Sequence, residues 1–372
     1  MADLQVELNT TAEAGDLDQP LAEAAPPAIS ESSPDPASAP DPRPDPLRRA
    51  RALLAAHPVA DGCSGLPGAL RELPWCDLEL GDSGVEGDVP RLRAGGVGAQ
   101  FWSVHVPEHL SGDHALGATL EQLDLVKHVV ADHAEGLRLA RTASEAVDAR
   151  HCGRIAALIG PARGAAIGDS LATLRALRDL GLCSLTLAGT DWAGPEGLSP
   201  FGEEVVRELN RLGVLADLAG ASDAVAHRVL TLSRSPVLFV GSGARALRDA
   251  PGNLPDDVLT ALGEAKGLCL VPLAAERTGA SIGEVADHLD HVRALAGPEC
   301  VGLAGTYDTG AAHPEGLADA SRYPHLVAEL IERDWPETDL ARLTWGNVQR
   351  ALRGADFTAR AAKERTRRQA AG

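Results

Sequence analysis

Short apolar runs alternate along this chain with longer stretches in which apolar residues recur every three to four positions. The runs are PVAD at 58–61, VGAQFWSV at 97–104, IAALIG at 155–160, SLTLAG at 184–189, GVLADLAG at 213–220, PVLFVGS at 236–242, GLCLVPL at 267–273 and CVGLAGT at 300–306. Runs so short and continuous predict strands buried on both faces, as in a parallel sheet covered by helices. Between them, ALGATLEQLDLVKHVVADHAEGLRLA, DSLATLRALRDLG, FGEEVVRELNRLG, SDAVAHRVLTLS, LPDDVLTALGEAK and IGEVADHLDHVRALAG carry the helical period. Ser170, Ser222 and Ser281 stand where N-caps are needed, and Gly181, Gly213 and Gly297 where helices should stop. Eight strands, nearly all followed by a helix, predict an α/β fold, a (β/α)8 TIM barrel over residues 47–356.

In such a barrel the ligand site forms at the C-terminal ends of the strands. Those ends read DGCSG, SVHVP, GPARGAA, AGTDWAG, AGASD, VGSGA, PLAAE and AGTYD. The first positions past the apolar runs are mostly Gly, Ala, Pro, Ser and Thr, an inert set for a place where chemistry is expected.

Composition adds the flanks. Residues 1–46 are rich in Pro, Ala, Ser and Asp and predict a disordered tail, because such a stretch buries too little apolar surface to offset its ordering entropy. Residues 357–372 form a basic C-terminal tail, expected to fray. The net charge is -19, and the first 46 residues, with ten acidic side chains and one basic, supply about half of it. An acidic chain without clustered Lys and Arg is unsuited to nucleic acid. The start MADLQVELNT has no basic segment followed by an apolar core, and no apolar run reaches the ~18 residues of a membrane span, so a cytoplasmic protein with no membrane partner is expected. Six scattered cysteines with no C-x-x-C pair predict buried, reduced thiols.

Several longer segments carry a resemblance. DVPRLRAGGVGAQFWSVHVP, IGDSLATLRALRDLGLCSLTL, SPFGEEVVRELNRLGVLADL, ARALRDAPGNLPDDVL and SRYPHLVAELIERDWPETDLARLTWGNVQRAL together resemble the membrane dipeptidase (renal dipeptidase, peptidase M19) family over nearly all of residues 50–353. The resemblance implies an amidohydrolase-type barrel with two zinc ions that activate a bridging hydroxide against dipeptides and some β-lactams. The departures fall on that chemistry. Cys63 and Gly65 stand where the family has its first His-x-Asp, Ala162 and Ala165 where it has a bridging Glu and a His, and Gly189, Gly220 and Gly241 where it has further histidines. Gly252 replaces the family's substrate-binding Arg, and TYDT replaces D-F-D-G, so Thr306 stands for the first Asp while Asp308 keeps the second. Gly and Ala offer no donor atom to a metal, so the expectation is no cofactor and no hydrolysis.

The remaining candidates are Cys63, Ser242, Arg245, Thr306 and Asp308, a degenerate barrel-mouth binding set with no catalytic or metal-binding member. Cys63 is either a replacement nucleophile or a small buried thiol, and the second is preferred because no base replaces the lost histidines. VGSGARAL at 240–247 places Gly241 and Gly243 before an expected helix with Arg245 in its first turn, a possible anion site. The spacings of His288 with His291 and of His128 with His133 suit structural hydrogen bonding better than ligation. Three functions compete. The chain is a silent partner of an active dipeptidase, as a homodimer or heterodimer; it is a zinc dipeptidase with non-standard ligands; or it binds a small ligand such as an amino acid or dipeptide.

Overall fold

The computed structural model describes residues 45–73, 76–81 and 84–371. Of the predicted acidic tail, residues 1–44 lie outside the described residues. The strands are β1 (Val59–Ser64), β2 (Val97–Trp102), β3 (Leu137–Ala140), β4 (Ile155–Ile159), β5 (Ala162–Arg163), β6 (Ser184–Thr186), β7 (Ala193–Gly194), β8 (Gly197–Leu198), β9 (Leu215–Asp217), β10 (Leu238–Val240), β11 (Leu268–Pro272) and β12 (Val301–Ala304). Apart from the small antiparallel pair β7–β8, they make one parallel sheet in the order β3-β4-β2-β1-β12-β11-β10-β9-β6-β5.

β4 and β5 are two halves of one strand. β4 lies beside β2 and β5 beside β6, so the sheet curls back on itself. The seam is closed by a bridge between Ile159 and Leu182 and by the Cys183 amide donating to Ile159 O at 2.8 Å. The result is a (β/α)8 barrel of β1, β2, β4/β5, β6, β9, β10, β11 and β12, as the sequence predicts. β3 is an addition. Leu137–Ala140 belongs to a stretch expected to be helical, but that helix ends at Asp132, and the chain turns at Gly136 to pair Leu139 with Ala157 of β4.

Alternate strand residues face two cores. Ala60, Ala99, Phe101, Leu158, Leu238, Leu268 and Leu270 pack inside the barrel, where Trp345 and Leu352 join them. Val59, Val97, Ile155, Val271 and Leu303 face the helices. Both faces are therefore dry, which is why the strands read as continuous apolar runs. Inside, Leu270 fills space left by two neighbouring glycines: a Cβ on Gly62 would lie 2.5 Å from its Cδ1, and one on Gly302 2.6 Å from its Cδ2.

The expected caps form. Ser170, Ser222 and Ser281 each accept an amide three residues on, and Ser281 with Glu284 completes a capping box. Gly213 ends its helix with φ 71°, a left-handed conformation that suits glycine. The stretch set apart as a tail from residue 357 continues the α-helix Asn347–Ala371, with Ala359 buried and the Thr358 hydroxyl donating to Arg234 O. Among the described residues no helix is long and apolar enough to cross a membrane.

Candidate functional site

A cavity of about 520 Å³ opens at the C-terminal ends of the strands, with Cys63, His105, Asp217, Arg277, Thr306 and Asp308 among its walls. Three of the five candidate residues are thus brought together there: Cys63, Thr306 and Asp308. The other two lie elsewhere. Ser242 is buried, and among the described residues its hydroxyl has no hydrogen-bond partner. Arg245 faces outward, with its Nε donating to Asn253 O and Asp223 at 3.8 Å.

The expected anion turn at 240–247 does not form. No helix follows Gly243, and the amides that would hold an anion are already used. Gly241 N and Ser242 N donate to Leu270 O, Gly243 N to Asn253 Oδ1 at 2.8 Å, Ala244 N to His288 Nδ1 at 2.9 Å and Arg245 N to Leu254 O. His288 is therefore a hydrogen-bond acceptor at Nδ1, and burial pushes its pKa down to about 4. His291 binds Asp256, His128 lies against Asp124 and His133 against Glu79, so all four histidines serve local structure.

The cavity floor is polar but occupied. The Thr186 hydroxyl donates to Asp217 Oδ2 at 2.6 Å, and His105 Nε2 approaches the same hydroxyl at 3.2 Å. Because Thr186 spends its proton on Asp217, it accepts from His105, which fixes the tautomer with the proton on Nε2. Asp217 Oδ1 also takes the amides of Ala219 and Val240. Burial outweighs these bonds and raises the Asp217 pKa to about 6. His105 is enclosed by protein yet keeps accessible surface, and burial, followed by the Arg163 guanidinium, pushes its pKa down to about 4. Beneath lies Asp61, accepting from Gln100 Nε2, Cys63 N and Gly305 N, with its pKa raised by burial. Burial, and then the charges of Asp61 and Asp217, push the Cys63 pKa up, which disfavours its thiolate.

The opposite wall is a knot of three side chains. Asp308 N donates to Glu86 Oε2 at 2.6 Å, and Glu86 N donates back to Asp308 Oδ1 at 2.7 Å. His313 lies between Leu273 O at 2.6 Å and Glu86 Oε2 at 3.1 Å, two acceptors that call for a proton on both ring nitrogens. Burial opposes that charge, yet the hydrogen bonds and the Glu86 carboxylate hold the His313 pKa above its ordinary value. Burial raises the Asp308 pKa to about 6. Thr306 and Asp308 sit at φ 54° and 61°, conformations non-glycine residues rarely take.

The positions where the resemblance places zinc donors are closed or empty of donors. A Cβ on Gly65 would lie 2.2 Å from Asp308 O, so the last loop already fills the space an aspartate would need. Gly189, Gly220 and Gly241 have φ of 76°, 71° and 69°, where any L-side chain is strained. Beside Gly189, the Arg163 guanidinium stands 3.2 Å from where a Cβ would be. Among the described residues no three His, Cys, Asp or Glu side chains come together to hold a metal ion. This donor set does not fit a pair of zinc ions.

His105, Asp217 and Arg277 escaped the sequence reading. His105 and Asp217 were within quoted segments, SVHVP and GVLADLAG, and alternation along β9 from the inward Leu215 turns Asp217 inward. Arg277 lies one residue beyond the quoted mouth PLAAE and carried no such signal.

Strand order and cavity define a (β/α)8 barrel with an open cavity at its mouth. The membrane dipeptidase family (peptidase family M19) matches residues 47–366, and the chain belongs to that family. It is 39% identical to Dipeptidase 3 of Macaca fascicularis over 331 residues, 83% of this chain and 67% of that protein. With Dipeptidase verJ of Clonostachys rogersoniana it shares 32% over 350 residues, 86% of this chain and 90% of the relative. The aligned stretch spans about two thirds of the length of the mammalian relatives. The crystal structure of the probable dipeptidase PvdM from Pseudomonas aeruginosa superposes with a TM-score of 0.74 at 19% identity, covering 84% of this chain and 99% of that one, which supports the fold.

Proposed function

We propose that this chain binds a small ligand in the barrel mouth without a metal ion and does not hydrolyse peptide bonds. The observation that carries this reading is the packing at Gly65, where the backbone of Asp308 occupies the place of a metal-binding side chain. Without zinc, nothing here lowers the pKa of water from 15.7 toward neutrality. The Cys63 thiolate is disfavoured, and His105 is engaged with Thr186, so no other group takes over the attack. What remains is a cavity of about 520 Å³, within the range of small-molecule sites.

The family favours a second reading, hydrolysis of dipeptides as the names of the relatives suggest. The two are separated by assaying the purified chain with a dipeptide panel in the presence of added zinc. We expect no turnover above a heat-denatured control. Zinc-dependent turnover abolished by a chelator would establish the second reading instead.

A further inference from the structure

The α-helix Pro200–Leu212 leads into β9 and the α-helix Asp223–Leu232 into β10, so their C-terminal ends lie at the bottom of the barrel, away from the mouth. There the last turns of the helix Asn347–Ala371 pass beside them and close a groove of about 330 Å³. Arg207 and Arg211 reach it from the first helix, Arg234 from the turn after the second, and Arg365 from the third. An adjoining concavity shares Arg211 and adds Lys363 and Arg367. Among the described residues no carboxylate lines either one.

Arg234 is held at its backbone and free at its head. Its amide donates to Asn210 Oδ1 at 2.7 Å, and its carbonyl accepts the Thr358 hydroxyl at 3.2 Å, both from buried side chains. Asn210 is fixed in turn, with Nδ2 donating to Val206 O at 2.6 Å. Among the described residues the guanidinium groups of Arg234 and Arg365 make no hydrogen bond and no ion pair. Helix C-termini attract arginines through their open carbonyls, yet neither of these two heads binds one. Arg207 and Arg211 differ, because Glu203, Glu204 and Glu208 on their own helix match their charge and hold their forks in place. On the C-terminal helix Thr358, Ala362, Arg365, Thr366 and Gln369 share the groove face, and the helical period puts Glu364 on the opposite one.

We propose that this groove is a second binding site, for a small molecule that carries two or more phosphate groups. One guanidinium fork satisfies the two oxygens of a carboxylate, whereas several forks arriving from different helices suit tetrahedral phosphates, which offer more oxygens and more charge. Two unmatched arginines, with Lys363 and Arg367 beside them, call for more than one phosphate. The groove's volume, concave and bounded by three helices, sets the small size. The site is separate from the mouth cavity and stands whether or not that cavity takes a ligand.

Calorimetric titration of the full chain at low ionic strength tests this, with orthophosphate, pyrophosphate, adenosine diphosphate, citrate and vesicles of anionic phospholipid as probes. Pyrophosphate, adenosine diphosphate or both should bind at least tenfold tighter than orthophosphate and citrate. Binding of pyrophosphate alone assigns an inorganic source, and binding of the nucleotide an esterified one. Arg234→Gln combined with Arg365→Gln should weaken that binding at least tenfold at an unchanged melting temperature. Arg353→Gln combined with Arg360→Gln removes the same charge from the exposed, opposite face of the C-terminal helix and should leave affinity within about twofold. The Nε–H resonances of Arg234 and Arg365 should shift as the bound phosphate compound is added, a readout that needs no variant. Equal losses in the two double variants would reduce the effect to net charge and overturn the site. Citrate binding tighter than every phosphate overturns the ligand class, and so does capture by the vesicles without binding of pyrophosphate or the nucleotide. No binding by any probe overturns the proposal outright.

Discussion

Asp217 illustrates how a residue at this mouth trades stability for placement. Its folded pKa of about 6 lies above the ordinary value of 3.8, so between those values the folded chain holds more protons than the unfolded one. Stability therefore falls as pH rises from about 4 to about 6, then levels off. Asp217→Asn removes the charge and retains an acceptor for the amides of Ala219 and Val240. Its stability relative to the parent should be lowest near pH 4 and rise through that window, reaching a gain of about 1–3 kcal/mol at pH 7.5. Denaturant melts of both proteins at the two pH values check this; a gain that is constant with pH would show that Asp217 does not carry the shift. At this scale the sequence was partly legible. Cys63, Thr306 and Asp308 were readable because barrel topology places strand ends at the mouth. Ser242 was misplaced because Gly241, at φ 69°, breaks the alternation that Leu238 and Val240 set, and Arg277 was missed because only the glycine at 252, on a different loop, brings its head to the cavity.

Among elements, the loop after β12 decides what the loop after β1 can carry. Gly65 N donates to Tyr307 O at 2.7 Å, Thr306 N to Cys63 O at 2.9 Å, and Asp308 O sits where a side chain on 65 would begin. Restoring a family-like pair through Cys63→His and Gly65→Asp should therefore lower stability by about 1–3 kcal/mol, the range for forcing atoms into filled space. It should also yield no dipeptide turnover with added zinc. Thermal melts and an activity assay check both, and an unchanged melting temperature would mean that the last loop moves aside at no cost. Elements were the most legible level. The strands of the barrel follow from apolar runs and the caps from serine and glycine positions, since both depend on local residue chemistry. β3 was not legible: Leu137–Ala140 is four residues long, directly follows a strong helical period, and becomes a strand only because β4 offers an edge to pair with.

For the molecule as a whole, the packing that makes the barrel does not depend on the residues at its mouth. Leu270 against Gly62 and Gly302, and the helix Asn347–Ala371 against the barrel, are packing relations that need no ion. At the mouth stand Cys63, Gly241 at φ 69°, Asp217, Arg277, Thr306 and Asp308. A mouth without clustered charged donors carries no desolvation cost for them, so the proposed metal-free reading is compatible with a stable fold. The account as a whole stands on that absence of a metal-binding donor set. The most direct measurement is zinc stoichiometry: the purified chain is incubated with excess zinc, freed of loosely bound metal by gel filtration, and analysed for zinc and protein together. The account predicts well below one zinc per chain. Two tightly held zinc ions per chain, surviving the column and removed only by a chelator, would contradict it.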